Sequence, residues 1–261
     1  MQTNHGMAEQ MDGILAGRVA LITGASSGFG THFAKLFVGH GARVVIGARR
    51  ADRLAALAEE LGGAALAVSM DVTDEASVIA AYDAAEARFG TVDTVIANAG
   101  VAVAGRSVDV PLSDVSTVIA TNFTGVYLTA REGARRMIKA GFKQTEQGRI
   151  VLIGSITAEL TGLGESAYAA SKAAVAHLGR QFAREWARQG ICVNTIQPGY
   201  IQTEIAGDWF QTEGGAKQVA GFNRRRMCPI EALDEPLLLF ASDAARHITG
   251  ATLTVDDGQA L

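Results

Sequence analysis

The sequence predicts a single α/β domain: a doubly wound, seven-stranded parallel sheet with helices on both faces. Three observations carry this. Short apolar runs alternate with longer amphipathic ones along nearly all of the 261 residues. The short runs are rich in Val, Ile and Ala, as in strands buried on both faces. No internal repeat and no linker-like stretch divides the chain, so one core is expected.

Taken in order, the runs RVALIT (18–23), ARVVIGA (42–48), ALAVSM (65–70), VDTVIAN (92–98), RIVLIGS (149–155), ICVNTIQ (191–197) and TLTV (252–255) read as strands. Helical patterns fall between them at 29–40, 51–61, 74–89, 113–140, 166–189 and 231–241. Such alternation requires parallel pairing through right-handed crossovers. One segment breaks the rhythm. Residues 203–230 form a long polar and aromatic excursion where a short connection is expected, and long loops of this kind often act as lids or binding loops. Residues 1–15 read as a loose tail, leaving 16–261 as the folded domain.

Composition narrows the function. The net charge is −4 with both signs scattered, so no basic stripe points to nucleic acid and no basic amphipathic helix to a membrane surface. No apolar run approaches the roughly 20 residues that span a bilayer. The first thirteen residues lack the layout of a signal peptide. Only Cys192 and Cys228 are present, which argues against a disulfide framework; a cytoplasmic location is expected. No His/Cys cluster has metal-ligand spacing, so no metal is expected.

TGASSGFG (23–30) follows the first strand and opens the first helix. Gly24 permits a sharp turn, Gly28 lets backbone approach a pyrophosphate, and Gly30 lets the helix lie close to the sheet. The helix N-terminus then offers free N–H groups to phosphate, with Ser26, Ser27 and Phe29 completing the turn. The end of the second strand separates the two nicotinamide dinucleotides. An acidic residue there would bind the adenosine ribose; here Ala48 is followed by Arg49 and Arg50, whose guanidiniums suit a 2′-phosphate. NADP(H) is therefore favoured, with NAD(H) as the alternative. Against this, the two arginines also read as an ordinary solvated helix start.

In ESAYAASKAAVAHLGRQFAREW (165–186), Tyr168 and Lys172 are four apart and share a helix face. A nearby ammonium favours the phenolate and is expected to bring the tyrosine toward acid/base use near neutral pH. Together with TGASSGFG, NAG (98–100), Asn122, Ser155, YAASK (168–172) and PGYIQT (198–203), in that order, the chain resembles the short-chain dehydrogenases/reductases, from about residue 16 to its C-terminus.

That resemblance implies a Rossmann-type domain and hydride transfer between a nicotinamide and a ketone or secondary alcohol. Tyr168 would be the general acid/base and Ser155 would bind the same oxygen. Lys172 would support Tyr168 and hold the nicotinamide ribose. Asn122, a poor residue for the middle of a helix, would distort its helix and hold a proton-relaying water. Asp71 and Val72 would face the adenine, although Asp71 reads equally as a cap for the helix near Asp74. Asn98, Ala99 and Gly100 would flank the cofactor, and Pro198, Gly199, Ile201 and Thr203 would lead to its carboxamide. Subunits would pack as a homotetramer, or a homodimer, partly through a C-terminal turn where VDDG (255–258) replaces the family's VDGG-like sequence and Asp257 takes a left-handed position.

Ser155, Glu159, Leu160, Leu163, Tyr200, Ile205, Trp209 and Phe210 are expected to wall the substrate pocket, with Glu159 its odd polar member. Trp209 and Phe210 read equally as anchors of a lid. Such a lining suits an apolar cyclic or aryl ketone. The alternatives are a 3-oxoacyl-(acyl carrier protein) reductase, an NAD-dependent catabolic dehydrogenase and a non-catalytic NADP sensor. A strongly acidic carrier would need arginines where Glu146 and Gln189 stand, with Arg135 and Arg136 as substitutes.

Overall fold

In a computed structural model, describing residues 13–204 and 207–261, all seven expected strands form: β1 (Val19–Thr23), β2 (Arg43–Ala48), β3 (Ala65–Ser69), β4 (Thr94–Ala97), β5 (Gly148–Ile153), β6 (Ile191–Pro198) and β7 (Thr252–Val255). They pair in parallel in the order β3-β2-β1-β4-β5-β6-β7. Along β1, Ala20 and Ile22 enter one core while Val19 and Leu21 enter the other. Side chains alternate across a strand, so a strand covered on both faces must be apolar throughout.

The first core is closed by α1 (Gly28–Gly39), α2 (Ala51–Leu61) and α9 (Asp234–Ala241), through Phe33, Phe37, Leu54, Leu57 and Leu237. The second is closed by α3 (Glu75–Phe89), α5 (Val126–Lys139) and α7 (Ser166–Trp186), through Val78, Tyr82, Ala130, Met137, Val175 and Phe182. After β3 the chain crosses to the other side of β1 to form β4. That reversal opens a crevice at the C-terminal ends of β1 and β4, where open sheets of this kind bind ligands.

Three details depart from the sequence-based expectation. The helix expected at 113–140 is α4 (Leu112–Ile119) and α5 joined by a π-helical stretch, Ala120–Gly125. A short α6 (Phe142–Thr145) follows. The excursion at 203–230 contains α8 (Glu213–Gly221), capped by the Thr212 hydroxyl on the Gly215 N–H at 3.1 Å. At the N-terminus, Leu15 is fully buried and donates its N–H to His40 at 3.0 Å, so packing begins before residue 16. Residues 1–12 of the expected tail lie outside the described residues, as does Ile205 of the expected pocket.

Candidate active site

The crevice is built first from glycines. Gly24 leaves β1 at φ +69°, and a Cβ there would stand 2.9 Å from the Ala99 Cα. Gly28 also has positive φ, +52°, with only the Thr203 side chain nearby, 3.6 Å from a would-be Cβ. A Cβ on Gly30 would collide with the Gly24 carbonyl oxygen at 2.4 Å. The three glycines thus make a turn, an open face and a close helix–sheet contact. Ser27 precedes α1 in extended backbone and its side chain makes no cap bond, which leaves the first helical N–H groups facing the crevice. Phe29 instead stacks on Phe33 at 5.8 Å. These residues fit the pyrophosphate of a dinucleotide.

Across the crevice, Asn98 ties β4 to β1. Its Nδ2 donates to the Thr23 carbonyl at 2.8 Å, and the Asn98 and Ala99 N–H groups both donate to the Thr23 hydroxyl at 3.0 Å. Gly100 lies beside the expected catalytic residues, since a Cβ there would lie 3.7 Å from Lys172 Nζ and 3.5 Å from Asn122 Oδ1. Asp71 does not cap α3. Its carboxylate accepts from the Thr73 N–H and hydroxyl at 2.9 and 2.8 Å, while Asp74 caps the helix through the Ala76 N–H. The Thr73 bonds, aided by Arg49, hold the Asp71 carboxyl below its usual range. Val72 is buried against α5 and its neighbours.

The four expected catalytic residues are linked. Asn122 is fully buried in the π-helical stretch. Its carboxamide accepts the Val101 N–H at 2.8 Å and donates to the Val101 carbonyl at 2.9 Å and to the Ser171 hydroxyl at 3.1 Å. Ser171 in turn donates to the Tyr168 carbonyl at 2.6 Å. The widened helix therefore presents a side chain that clamps the chain after β4 onto α7. Both Nδ2 protons are used, so a relaying water would have to bind elsewhere than on them.

Lys172 is buried and donates to the Ile153 carbonyl at the end of β5, at 2.8 Å. Its nitrogen lies 5.6 Å from the centre of the Tyr168 ring. Ser155, just after β5, accepts the Thr157 N–H at 3.2 Å and the Thr157 hydroxyl at 3.0 Å. With those bonds accepted, its own proton is left for the Tyr168 oxygen, and the Ser155–Tyr168 hydrogen bond favours the phenolate. Thr157 was not among the expected site residues; a hydroxyl two residues past Ser155 is its only sequence signal.

The electrostatics differ from the expectation. Burial pushes the Tyr168 phenol up to about 12, more than the Ser155 bond brings it down, and the nearby Glu165 carboxylate adds to the rise. Burial also drops the Lys172 ammonium to about 8. At 5.6 Å the ammonium does not offset the phenol's loss of water. Glu165 was missed too. It precedes α7, its Oε2 is buried without a hydrogen bond among the described residues, and burial raises its pKa.

The aromatic residues gather only in part. Tyr200 stacks on Phe222 at 5.6 Å and meets Phe210 edge-on at 5.6 Å. Gln218 of α8 binds the Trp209 indole N–H at 2.7 Å and the Tyr200 side chain. Trp209 is half exposed and packs along Gly214, as an anchor of this segment would. Leu163 is fully exposed, Glu159 is exposed and Leu160 half-buried, so the wall expected after Ser155 is not assembled here. Gly199 turns the chain where a Cβ would meet Gln259 Oε1 at 2.4 Å, next to Pro198 at the end of β6; Ile201 is buried, and Thr203 faces Gly28. Asp257 takes φ +56° and pairs with Arg224 and Arg226 at 2.7 Å each.

Residues 18–214 match the family model described as short chain dehydrogenase. The chain belongs to the short-chain dehydrogenases/reductases. It is 39% identical over 253 residues to cis-4-hydroxycyclohexanecarboxylate dehydrogenase of Sinomonas cyclohexanicum, covering 93% of this chain and 96% of that one. Among solved structures, gluconate 5-dehydrogenase from Burkholderia cenocepacia in complex with NADP and tartrate superposes with a TM-score of 0.88 at 32% identity, covering 95% of this chain and 97% of that one. The 3-ketoacyl-(acyl-carrier-protein) reductase from Brucella melitensis complexed with NADH gives 0.87 at 32% identity, covering 95% and 100%. This short-chain dehydrogenase is thus an oxidoreductase acting on CH–OH groups, in a family that uses NAD(P)(H). Among the described residues, no helix is long and apolar enough to cross a membrane, and no group of His, Cys, Asp and Glu could hold a metal ion. Both cysteines are buried free thiols.

Proposed function

We propose that the protein reduces an apolar cyclic or aryl ketone with NADPH, or oxidises the matching secondary alcohol with NADP⁺. The observation that carries this reading is the Ser155–Tyr168–Lys172–Asn122 group at the mouth of the glycine-lined crevice. When bound, the nicotinamide supplies or accepts the hydride. Every other step belongs to the chain. Tyr168, whose phenol is held protonated at neutral pH, gives its proton to the carbonyl oxygen in reduction. When the substrate binds, Ser155 turns its one proton from the Tyr168 oxygen to the same carbonyl oxygen, because Thr157 satisfies its lone pairs. Lys172 places a positive charge beside the phenolate that forms and stabilises it. Asn122 holds the loop after β4 and α7 at a fixed separation.

For the cofactor, Arg49 and Arg50 at the end of β2 would receive the 2′-phosphate, and Asp71 and Val72 the adenine. For the substrate, the cluster of Tyr200, Phe210 and Phe222 beside Tyr168 offers apolar faces. The relative named for cis-4-hydroxycyclohexanecarboxylate supports a cyclic substrate, one whose carboxylate stands across the ring from the reacting carbon. Glu165 argues against placing a substrate carboxylate next to Tyr168, because two carboxylates there would repel. Reduction of carrier-bound 3-oxoacyl chains fits less well. Arg136 is largely buried and held by Glu86 and Glu132 at 2.7 Å and Asp83 at 2.8 Å, so it does not stand free for an acidic carrier, which leaves only Arg135, paired with Glu132 at 3.1 Å, of the two substitutes. A homotetramer or homodimer and a cytoplasmic location belong to the same proposal.

Initial rates with NADPH and NADH, on cyclic ketones, aryl ketones, a steroid ketone and an acetoacetyl thioester, test it. Fast NADPH oxidation on a cyclic or aryl ketone is expected. Activity confined to the thioester would replace this reading with the carrier-protein one, and equal rates with the two cofactors would remove the case for NADP(H).

A further inference from the structure

Arg50 does not point freely into solvent. Its Nε donates to the Ser26 hydroxyl at 3.0 Å and one terminal nitrogen to the Ser27 hydroxyl at 2.6 Å, so the guanidinium lies along the glycine-rich turn. The other terminal nitrogen donates to Glu204 Oε2 at 3.0 Å. The second oxygen of that carboxylate accepts from Arg53 at 2.6 Å. Glu204 thus spans two guanidiniums, with one oxygen on each. It reaches them from the opposite wall of the crevice, next to Thr203, which faces Gly28.

Two guanidiniums sharing the oxygens of one anion is the arrangement a phosphate monoester seeks, because each N–H is directed and charge-assisted. The 2′-phosphate of an NADP-type dinucleotide needs the donors that Glu204 already holds. It also brings negative charge to a place where the Glu204 carboxylate stays ionised; the Arg53 and Arg50 hydrogen bonds hold that carboxyl down at about 2. The three side chains are only about half buried, with exposures of 43% for Arg50, 46% for Arg53 and 55% for Glu204. Exposed pairs of this kind are weak and exchange readily with another anion.

We propose that Glu204 is a cofactor-specificity residue: its carboxylate occupies the Arg50 and Arg53 donors that a 2′-phosphate would take and must yield them when one binds, which limits the preference for NADP(H) over NAD(H). The proposal rests on the reading of Arg49 and Arg50 as the 2′-phosphate site. The carboxylate acts as a built-in competitor, and removing its charge while keeping its shape unmasks the donors.

The test is equilibrium binding of NADPH, NADH, adenosine 2′,5′-bisphosphate and AMP to wild type, Glu204→Gln, Arg49→Ala and Arg50→Ala. Glu204→Gln is expected to tighten NADPH and the bisphosphate about tenfold and to move NADH and AMP less than about twofold. Unchanged or weakened NADPH binding in Glu204→Gln would overturn the proposal, as would equal tightening of NADPH and NADH. The arginine variants separate the two claims. If they weaken NADPH selectively while Glu204→Gln does nothing, Glu204 is no competitor and the cofactor reading stands. If they weaken NADPH and NADH equally, the 2′-phosphate site itself is misplaced and the Glu204 proposal falls with it.

Discussion

The two ends of the crevice are built on opposite principles. At the proposed catalytic end, Asn122, Ser155 and Lys172 are buried, Tyr168 is partly so, and the hydrogen-bond partners of Asn122 are backbone groups or a neighbouring hydroxyl. At the proposed adenosine end, Arg50, Arg53 and Glu204 are half exposed and meet one another through side chains alone. Burial makes the first group costly to disturb, because a lost partner leaves a polar atom with no water to replace it. Exposure makes the second group easy to exchange. On the proposed reading, the contrast teaches that chemistry is held where water is excluded, while selection among dinucleotides is left to pairs that can change partners.

Breaking the buried end should have the larger effects. Lys172→Met is expected to lower kcat by about 10³-fold. The same variant checks the burial argument through stability. The unfolded chain keeps its lysine proton to about 10.4, whereas folded Lys172 releases it near 8. Between those values the unfolded state binds more protons, so this group makes wild-type stability rise with pH. The melting temperature of Lys172→Met relative to wild type should therefore fall as pH goes from 7 to 10. A constant difference would show that burial does not lower the proton affinity of Lys172.

A smaller effect is expected one step out. Thr157→Val removes the hydroxyl that donates to Ser155 and should lower kcat about tenfold without changing cofactor affinity, with Thr157→Ser restoring the rate. A change in cofactor affinity instead would mean that Thr157 supports the fold of the crevice rather than the orientation of Ser155. At the exposed extreme, Leu163→Ala should leave kcat and KM within about twofold, because the side chain touches solvent only. A large rise in KM would mean that the segment after Ser155 folds over the substrate when it binds.

The sequence made the scaffold legible where one local pattern decides the structure. The five inner runs gave strands because a strand covered on both faces leaves no other composition, while the partly exposed edge strands β3 and β7 were legible from the strand–helix alternation. The glycine trio was legible because positive φ and backbone crowding admit little else at Gly24 and Gly30. α8 was missed because Gly214, Gly215 and Gly221 make it a poor intrinsic helix, held by the Thr212 cap and by Trp209. The Arg50–Glu204 contact joins residues 154 apart in the chain, and no local pattern announces it. For Tyr168 and Lys172, the four-residue spacing placed both on one face. It could not show how deeply both are buried, and so it missed the direction in which the phenol shifts.

The most direct test of the central claim is a single-turnover experiment with Tyr168→Phe, mixed with NADPH and a cyclic ketone that the wild type reduces. If Tyr168 is the proton donor, NADPH should bind with wild-type affinity while its oxidation slows by about 10³-fold or more. Near-normal oxidation with unchanged affinity would contradict the account and move the acid/base role to another group in the crevice.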